Sequence, residues 1–362
     1  MDRPDICIAG AGIIGLSLAL ELHRRGASVT VLDQGPPLAQ ASTAAAGMLA
    51  AHDPDNPPQL HNLAELSLSL YPNYLAQIRE LSGIQVLFQT ASTLQALPPH
   101  VPPWPVELAA ETLTQLLPNL NPGNHRFVLL KEQSLDPRDL AEALLAAVRT
   151  TTIDLRPHTP VRIVRSIPDF VEIHSSADTL HAAKFVDCTG AWALSSPALP
   201  HLDVRPKKGQ ILAVTLPQVL PLHLVVRTPD IYVVPRTLDQ SIDQSMGRAI
   251  IGSTVEDAGF DKTVHPSDIA NLLSRAADLL PDLADAPVIE SWAGLRPATQ
   301  DGLPLLGSIP NRPNHFLAIG HYRNGILLAP ATAYVMAQLI NGESTSVDLS
   351  PFSPGRLPQP NV

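Results

Sequence analysis

Two short apolar runs near the start of the chain flank a segment whose apolar residues recur at every third or fourth position. The runs lie at 6–9 and 29–32, and the segment between them ends at Gly26. Short apolar runs bounded by turn residues are typical of buried strands, whereas the longer spacing indicates an amphipathic helix. Because parallel strands need a crossover connection of this kind, residues 1–33 predict a strand–helix–strand unit.

The same two periodicities predict elements along the rest of the chain. Helical spacing predicts helices over 62–81, 137–148, 266–280 and 326–340. Strand patterns lie at 159–165, 170–174, 185–188, 211–214, 224–227, 231–235, 249–253 and 316–319. Asp136 is the expected N-cap of the second of these helices, and Ser267 is the candidate N-cap or first residue of the third. Helices and strands alternate at both ends and over 137–192, while 204–256 contains strands alone. We therefore expect an α/β domain of separated segments with an antiparallel-sheet domain inserted.

The turn after the first strand carries a specific chemical signal, Gly10-Ala11-Gly12-Ile13-Ile14-Gly15. In this spacing the first glycine permits a tight turn, the second lets a pyrophosphate approach the backbone, and the third lets the helix pack on the strand. The helix N-terminus offers N–H groups and a partial positive charge to the phosphates. Asp33 directly follows the second strand and lies 18 residues after Gly15. This is close to the ~20-residue spacing at which an acid binds a ribose hydroxyl. These features predict a site for NAD, NADP or FAD; the alternative is a glycine-rich turn in an ordinary βαβ unit.

Composition narrows the class of protein. The 362 residues exceed the ~250–300 at which a single core stops growing, so two domains or one elaborated domain are expected. The net charge of −10 argues against nucleic acid or an anionic membrane as the main partner. Cys7 and Cys188 lie in apolar runs and predict buried thiols without a disulfide, which fits a reducing cytoplasm. The most apolar segment, 325–340, is too short to span a bilayer, so no integral membrane segment is expected.

Several further segments carry a family pattern. They are 41–49, 186–192, 205–210, 232–236, 252–256, 292–304 and 320–330. Together with the N-terminal motif they resemble the D-amino-acid oxidase superfamily of FAD enzymes, and within it the glycine oxidase group of thiamine biosynthesis. The most specific are Trp292-Ala293-Gly294-Leu295-Arg296-Pro297-Ala298-Thr299 and Gly320-His321-Tyr322-Arg323-Asn324-Gly325. The resemblance extends over nearly the whole chain.

The resemblance implies an α/β fold, with a Rossmann-type FAD-binding domain of the GR2 type and an antiparallel β-sheet substrate domain. The expected FAD-binding domain comprises 1–85, 135–198 and 293–350, the substrate-binding domain 86–134 and 199–292, and a C-terminal tail 351–362. The loop at 237–246 is longer than the family pattern, and we expect it to border the substrate entrance or a subunit contact.

The resemblance also implies an activity. It is the oxidative deamination of glycine or a similar small amino acid, with hydride transfer from Cα to flavin N5 and reoxidation by O2 to H2O2. The imine would give a 2-oxo acid and ammonia or feed thiazole synthesis. The expected ligands are non-covalent FAD, a small amino acid and O2, and a homo-oligomer, dimer or tetramer, is expected in the cytoplasm. The alternatives are a D-amino-acid or sarcosine-type oxidase or dehydrogenase on the same fold, and a non-catalytic flavin-binding protein.

Three residues are the expected catalytic groups. The resemblance places Arg296 on the substrate carboxylate, a task that suits its planar guanidinium because it can bind both oxygens. It places Tyr232 beside the same carboxylate and Arg323 near the flavin and the substrate. The structural alternatives are a salt bridge for Arg296, a cross-strand aromatic contact for Tyr232 and a surface ion pair for Arg323.

The expected FAD contacts lie in the glycine-rich motif and in four later segments. They are Gly10, Ala11, Gly12, Ile13, Ile14, Gly15, Asp33, Gln34, Ser42, Thr43, Ala45, Ala46, Gly47, Met48, Thr189, Gly190, Ala191, Trp192, Arg296, His321, Tyr322, Arg323, Asn324, Gly325, Ile326 and Leu327. Trp292, Arg236 and Lys208 are expected to be structural. No metal site is expected, because the histidines lack ligand spacing, and Asp53 and Asp55 lack the other residues of a calcium loop.

Overall fold

The computed structural model describes residues 3–97, 107–195, 204–218, 220, 222–236 and 247–356. Its helices are α1 Ile13–Arg24, α2 Ala41–Ala44, α3 His61–Ser82, α4 Ala110–Leu116, α5 Pro137–Arg149, α6 Pro266–Leu279 and α7 Gly325–Ile340. Its strands are β1 Ile6–Ala9, β2 Val29–Leu32, β3 Phe88–Thr90, β4 Thr93–Leu97, β5 Arg126–Leu130, β6 Ser134–Leu135, β7 Asp154–Arg156, β8 Val161–Ile167, β9 Phe170–Ser175, β10 Thr179–Ala182, β11 Lys184–Asp187, β12 Arg205–Thr215, β13 Val225–Arg227, β14 Tyr232–Arg236, β15 Arg248–Gly252, β16 Val288–Ala298, β17 Leu305–Ile309 and β18 Arg312–Ile319.

A six-stranded sheet organises the two ends of the chain. Its order is β17-β18-β11-β1-β2-β7, and only the edge strand β17 runs antiparallel to its neighbour. Side chains alternate between the two faces of a strand, so Ile6 and Ile8 pack under α1, α3, α5 and α7, whereas Cys7 and Ala9 pack on the three-stranded sheet β8–β10. Burial on both faces explains why β1 and β2 read as uninterrupted apolar runs.

A seven-stranded sheet occupies the middle of the chain. Its order is β16-β12-β15-β14-β13-β4-β5; it is antiparallel except for the pair β13 and β4. Val233 and Ile251 pack on the face covered by α6. The alternate residues Val234 and Ile250 face Ala46 of the other half of the molecule. This alternation places Tyr232, two residues before Val234, on the same face, where it packs against this cluster.

Most elements follow the sequence predictions closely. The four long helices begin and end within one residue of their predicted bounds, and every predicted strand overlaps an observed one. Asp136 is an N-cap as predicted, since its carboxylate accepts the Arg138 backbone N–H at 2.9 Å. The prediction for Ser267 is wrong: His265 is the N-cap of α6 and Pro266 its first residue. Proline occupies that position because its fixed φ suits the first turn.

One long strand was not predicted. β16 covers Val288–Ala298 and pairs with β12 along most of its length, although Gly294 and Pro297 interrupt its apolar alternation. Pro297 is tolerated because β16 is an edge strand, where a missing N–H need not break a ladder. Gly294 stands opposite Gly209 of β12, and this pair of glycines brings the two backbones and their neighbours close together.

Both cysteines lie in the interior of the protein. Cys7 and Cys188 are both buried and free, and burial raises the pKa of the Cys7 thiol to about 12. No helix in the described ranges is both long enough and apolar enough to cross a bilayer.

His315 on β18 is buried, and no hydrogen bond from the described residues compensates for the loss of water around its ring nitrogens. Its ring stands edge-on to Phe185 at 4.9 Å between centroids, and neither ring nitrogen has a hydrogen-bond partner among the described residues. Burial disfavours the charged form and lowers the pKa of His315 to about 3. The unfolded histidine, with an ordinary pKa of 6.5, therefore binds a proton over a pH range in which the folded one does not.

We expect this difference to weaken the fold in acid. Between pH 6.5 and about pH 3 the free energy of unfolding should fall as the pH falls, by about 1.4 kcal/mol per pH unit for this one proton. His315→Leu should remove that part of the slope, and His223→Leu, at an exposed position, should not. Urea denaturation over this pH range measures the slope; an unchanged slope in His315→Leu would contradict the assignment.

Candidate functional site

Two adjoining cavities lie where the parallel strands end. Their volumes are about 180 and 280 Å³, and both are lined by Gly12, Ser42, Cys188 and Gly190. These residues follow β1 and β11 or belong to α2. In open α/β sheets, ligands bind at the carboxyl ends of the strands.

In the glycine-rich turn, two glycines are required by close packing and the third leaves space for a ligand. Gly10 has φ +101°, and a Cβ there would overlap the carbonyl of Cys188. A Cβ at Gly15 would overlap the Gly10 carbonyl, so both glycines are required by packing alone. Gly12 differs: among the described residues its Cβ would meet only Ser42 Oγ, at 3.4 Å. Space beside Gly12 is thus left for a ligand at the N-terminus of α1.

Asp33 fixes this turn from the end of β2. Its Oδ2 accepts the Ala11 N–H at 2.6 Å, and its Oδ1 accepts the Gly35 N–H at 2.8 Å. The residue is half-buried and lines the smaller cavity together with Gln34 and Trp192. Each carboxylate oxygen accepts more than one hydrogen bond, so Asp33 still has capacity for a ligand hydroxyl.

The segment 41–48 forms one wall of the larger cavity. The buried Arg236 donates to the carbonyl of Ala46, and Trp292 Nε1 donates to that of Ala44 at 3.2 Å. A Cβ at Gly294 would lie 2.6 Å from the Ala44 methyl. The seven-stranded sheet therefore holds this segment through specific contacts. Arg236 and Trp292 have the structural roles expected of them.

Arg296 also lines the larger cavity and lies flat against β12. Its Nη2 donates to Ser253 Oγ at 2.6 Å, and its Nη1 donates to the carbonyl of Thr254 at 3.2 Å. A Cβ at Gly209 would overlap the guanidinium, so the glycine opens the surface on which it rests. All of these acceptors are neutral, and no carboxylate in the described part of the chain pairs with Arg296. Its charge is available to an anion in the cavity.

Tyr232 lies beside this guanidinium. Its hydroxyl reaches Gly252, where a Cβ would approach the oxygen to 2.5 Å. Burial raises the pKa of the Tyr232 hydroxyl, and the charge of Arg296 opposes that rise only in part. The hydroxyl is protonated near neutral pH and can donate a hydrogen bond.

The loop 320–325 closes the cavity and leads into α7. Tyr322 has φ +48°, and its N–H donates to the Pro297 carbonyl at 2.8 Å. Asn324, the N-cap of α7, and Gly325 line the cavity, so the positive end of the α7 dipole faces it. Arg323 also lines the cavity, but it pairs with Asp53 and Asp55, in each case at 3.5 Å.

The comparison with known families decides the class of this site. Residues 5–339 match the model of the family described as FAD dependent oxidoreductase. The chain belongs to that family. It is 34% identical to the glycine oxidase of Geobacillus kaustophilus, with 97% of this chain and 96% of that protein covered. It is 36% identical to the bifunctional protein ThiO/ThiG of Trichormus variabilis, with 98% of this chain and 55% of that protein covered.

A solved structure extends the likeness to the fold. The crystal structure of glycine oxidase from Geobacillus kaustophilus superposes with a TM-score of 0.87 at 31% identity and covers 98% of each chain. The α/β class expected from the sequence, with a Rossmann-type sheet and a second sheet, is confirmed.

The two cavities suit the FAD of this family. In the smaller cavity the N-terminus of α1 can bind a phosphate. The wall at Gly12 bears no side chain, so the phosphate can approach the backbone. The larger one combines the small residues of 44–47 with the N-terminus of α7. A long ligand with a pyrophosphate at its centre can occupy both, because Gly12 and Ser42 line both.

Most of the expected site residues line one or both cavities. The smaller is lined by Gly10, Gly12, Asp33, Gln34, Ser42, Thr189, Gly190, Ala191 and Trp192. The larger is lined by Gly12, Ile13, Ile14, Ser42, Ala45, Ala46, Gly47, Met48, Gly190, Tyr232, Arg296, His321, Tyr322, Arg323, Asn324, Gly325 and Ile326. His321 is buried, lies 3.0 Å from Thr332 Oγ1, and has its pKa lowered to about 3 by burial.

Four expected residues line neither cavity. Ala11 and Gly15 support the glycine-rich turn from behind. Thr43 donates to the Leu38 carbonyl, and Leu327 is buried with its carbonyl bound by Ser67. We keep their contact with FAD as a prediction.

Sequence reasoning missed part of the larger cavity. Arg227, Gln95, Asp230 and Ser253 line it without having been singled out, and Asp53 and Asp55 were considered only as a calcium loop. A signal for Arg227 was present, because the short turn at 228–230 joins two strand patterns. That hairpin pairs Arg227 with Tyr232.

Gly12→Ala should separate FAD binding from folding. The new methyl group has room within the protein, so the apoprotein should keep its melting temperature, whereas it would occupy the approach of the pyrophosphate. We expect FAD to bind at least about tenfold more weakly, a loss of about 1.4 kcal/mol. Fluorescence titration of the apoprotein with FAD measures this, with Gly355→Ala at an exposed glycine as control. Undiminished affinity in Gly12→Ala would refute the placement of the phosphates.

Proposed function

We propose that this chain oxidises glycine or a similar small amino acid, giving the imine and H2O2. The observation that carries the proposal is Arg296: a half-buried guanidinium that lines the larger cavity and is held only by neutral acceptors in the described residues. An unpaired charge is costly in such a place unless a ligand supplies the counter-charge. The glycine oxidases to which the chain is similar support the choice of substrate.

Arg296 and Tyr232 would bind the substrate together. The fork of Arg296 matches the two oxygens of a carboxylate, and the neutral hydroxyl of Tyr232 adds a third donor. Fixing the carboxylate at three donors limits rotation of a small substrate and so orients its Cα–H bond. FAD, when bound, would supply the two-electron chemistry by accepting a hydride from Cα and returning the electrons to O2.

The remaining residues of the site need not transfer protons. His321 is neutral and directed at Thr332, and its lowered pKa makes it a poor proton acceptor near neutral pH. The N-terminus of α7 would place positive charge near FAD and favour an anionic reduced form. This arrangement suits hydride transfer better than general-base catalysis.

We further propose that the imine serves thiazole formation. One relative joins ThiO and ThiG in one protein, and this chain spans 55% of its length. The chain would correspond to the ThiO portion.

We propose the domain division given by the sequence. Strands β4 and β5, from 86–134, join the sheet formed mainly by 199–292, which supports assigning these two segments to one substrate-binding domain. The boundary between 292 and 293 lies inside β16, so that strand would belong to both domains. The 237–246 loop lies outside the described residues, and its place at the entrance or a subunit contact stays a prediction. A homo-oligomer in the cytoplasm also remains our proposal; two buried free thiols fit a reducing compartment.

The activity has a direct test. The purified protein should be yellow, and its flavin absorbance should bleach when glycine is added without oxygen. Readmission of air should restore the colour and give one H2O2 per imine. A panel of sarcosine and D-amino acids would rank the substrates. Flavin that no amino acid reduces would overturn the proposal.

Arg296→Ala should weaken substrate binding and leave FAD in place. Loss of a bidentate, charged partner is expected to lower kcat/KM for glycine at least about 100-fold. Arg296→Lys should recover only part of this, because an ammonium cannot bind both oxygens. Steady-state kinetics and FAD content measure the two effects, with the exposed Arg149→Ala as control. Full activity in Arg296→Ala would contradict its role.

A further inference from the structure

Three arginines line the larger cavity, but only one has a charge free for a ligand. Arg227 lies 3.0 Å from Glu132 and 3.8 Å from Asp53. Arg323 lies 3.5 Å from both Asp53 and Asp55. Arg296 has no acidic partner among the described residues. The cavity can therefore pair one ligand carboxylate with Arg296. Arg227 and Arg323 are already neutralised by acidic side chains of the protein.

The groups around Asp53 carry an excess of negative charge. We name the set Asp53, Asp55, Glu132, Arg227 and Arg323 the Asp53 cluster; it contains three acids and two arginines. The adjoining His52 lies 3.1 Å from Glu65 and 3.7 Å from Glu132. The hydrogen bond that His52 donates to the Glu132 carboxylate raises the pKa of His52, but protonated His52 is balanced by Glu65. The exposed Asp230 also lines the cavity and adds negative charge.

Burial strengthens the effect of this excess negative charge on a ligand in the cavity. The side chains of Glu132, Arg227 and Asp53 are 1%, 5% and 13% exposed, so water screens their charges poorly. Arg227 Nη1 has no hydrogen-bond partner among the described residues. It can therefore donate to a neutral acceptor in the cavity, while Asp53 and Glu132 still balance its charge.

We propose that the Asp53 cluster makes this site selective for amino acids with a single carboxylate. The inference rests on the proposed function, since it assumes that Arg296 holds the substrate carboxylate. A substituent on the amine or on Cα is accepted when it is neutral or cationic. A second carboxylate meets net negative charge, because it would have to displace Asp53 or Asp55 from an arginine.

Ligand pairs that differ by one charge and little in shape test the selectivity. Malonate and its monoamide, malonamate, are unreactive, and their Kd values for the holoenzyme can be measured by calorimetry. Iminodiacetate and its monoamide form the reactive pair, followed by anaerobic flavin reduction. The wild-type protein should favour the monoamide at least about tenfold in both assays, and added salt should change the ratio little, because the charges of a buried cluster are screened weakly.

Asp53→Asn should remove most of this preference. Asparagine keeps the side-chain oxygen that accepts the Asp55 N–H at 3.0 Å, so the loop should persist, while the cluster loses its excess charge. We expect the preference for the monoamide to fall about tenfold. Asp55→Asn should have a smaller effect, because that side chain is 54% exposed. Asp285→Asn, at an exposed position that does not line the cavity, should leave the ratio unchanged.

The outcomes separate this inference from the proposed activity. Equal binding of malonate and malonamate by the wild type, or an unchanged ratio in Asp53→Asn, would overturn the selectivity of the cluster. Flavin that glycine does not reduce would overturn the activity, while the malonate pair would still report on the charge. If Asp53→Asn fails to fold, the Asp55→Asn ratio decides the matter: a smaller fall in the preference supports the inference, and a ratio equal to that of the wild type would overturn it.

Discussion

The site depends on a guanidinium that is held in place without being neutralised. Arg296 rests on the bare backbone at Gly209 and donates to Ser253 and to backbone carbonyls. Neutral acceptors fix the orientation of the charge, yet they compensate it less well than a carboxylate would. The guanidinium can therefore still form a strong ion pair with an anionic ligand. Gly252 gives the Tyr232 hydroxyl similar room, so two glycines shape the wall on which the substrate would bind.

The two sheets meet at the segment 41–48, and this contact couples the halves of the site. Trp292 and Arg236 bind its carbonyls from the seven-stranded sheet, while Ser42 binds the N-terminus of α1 through the Ile13 N–H at 2.9 Å. Small side chains are needed here because Gly294 and Ala44 are in close approach. A shift of this segment would move the cofactor wall and the substrate wall together. The structural residues Arg236 and Trp292 therefore support both functions.

Charge within the cavity is distributed unevenly, and the net charge of the chain does not report it. The cavity is lined both by Arg296, whose charge is available, and by residues of the Asp53 cluster, which carries an excess of acid. The position of Arg323 illustrates the consequence. The family resemblance predicts a catalytic role for Arg323, and the structure shows its side chain in two ion pairs. Its charge is balanced by these two acids, so it is not free to hold a second anion.

Local patterns in the sequence determined the helices, the central parallel strands and the glycine-rich turn. Each depends on residues near one another along the chain: the apolar run 6–9, the capping by Asp136, and the spacing of Gly10, Gly12 and Gly15. The family resemblance added Arg296 and Tyr232, which the structure brings together in one cavity. β16 escaped prediction because its glycine and proline are explained only by the strand opposite. The pairing of Arg323 with Asp53, and of Arg227 with Glu132, was decided by tertiary structure alone. These groups are far apart in sequence, and whether a charge is free or neutralised depends on which other charges the fold brings within a few ångströms.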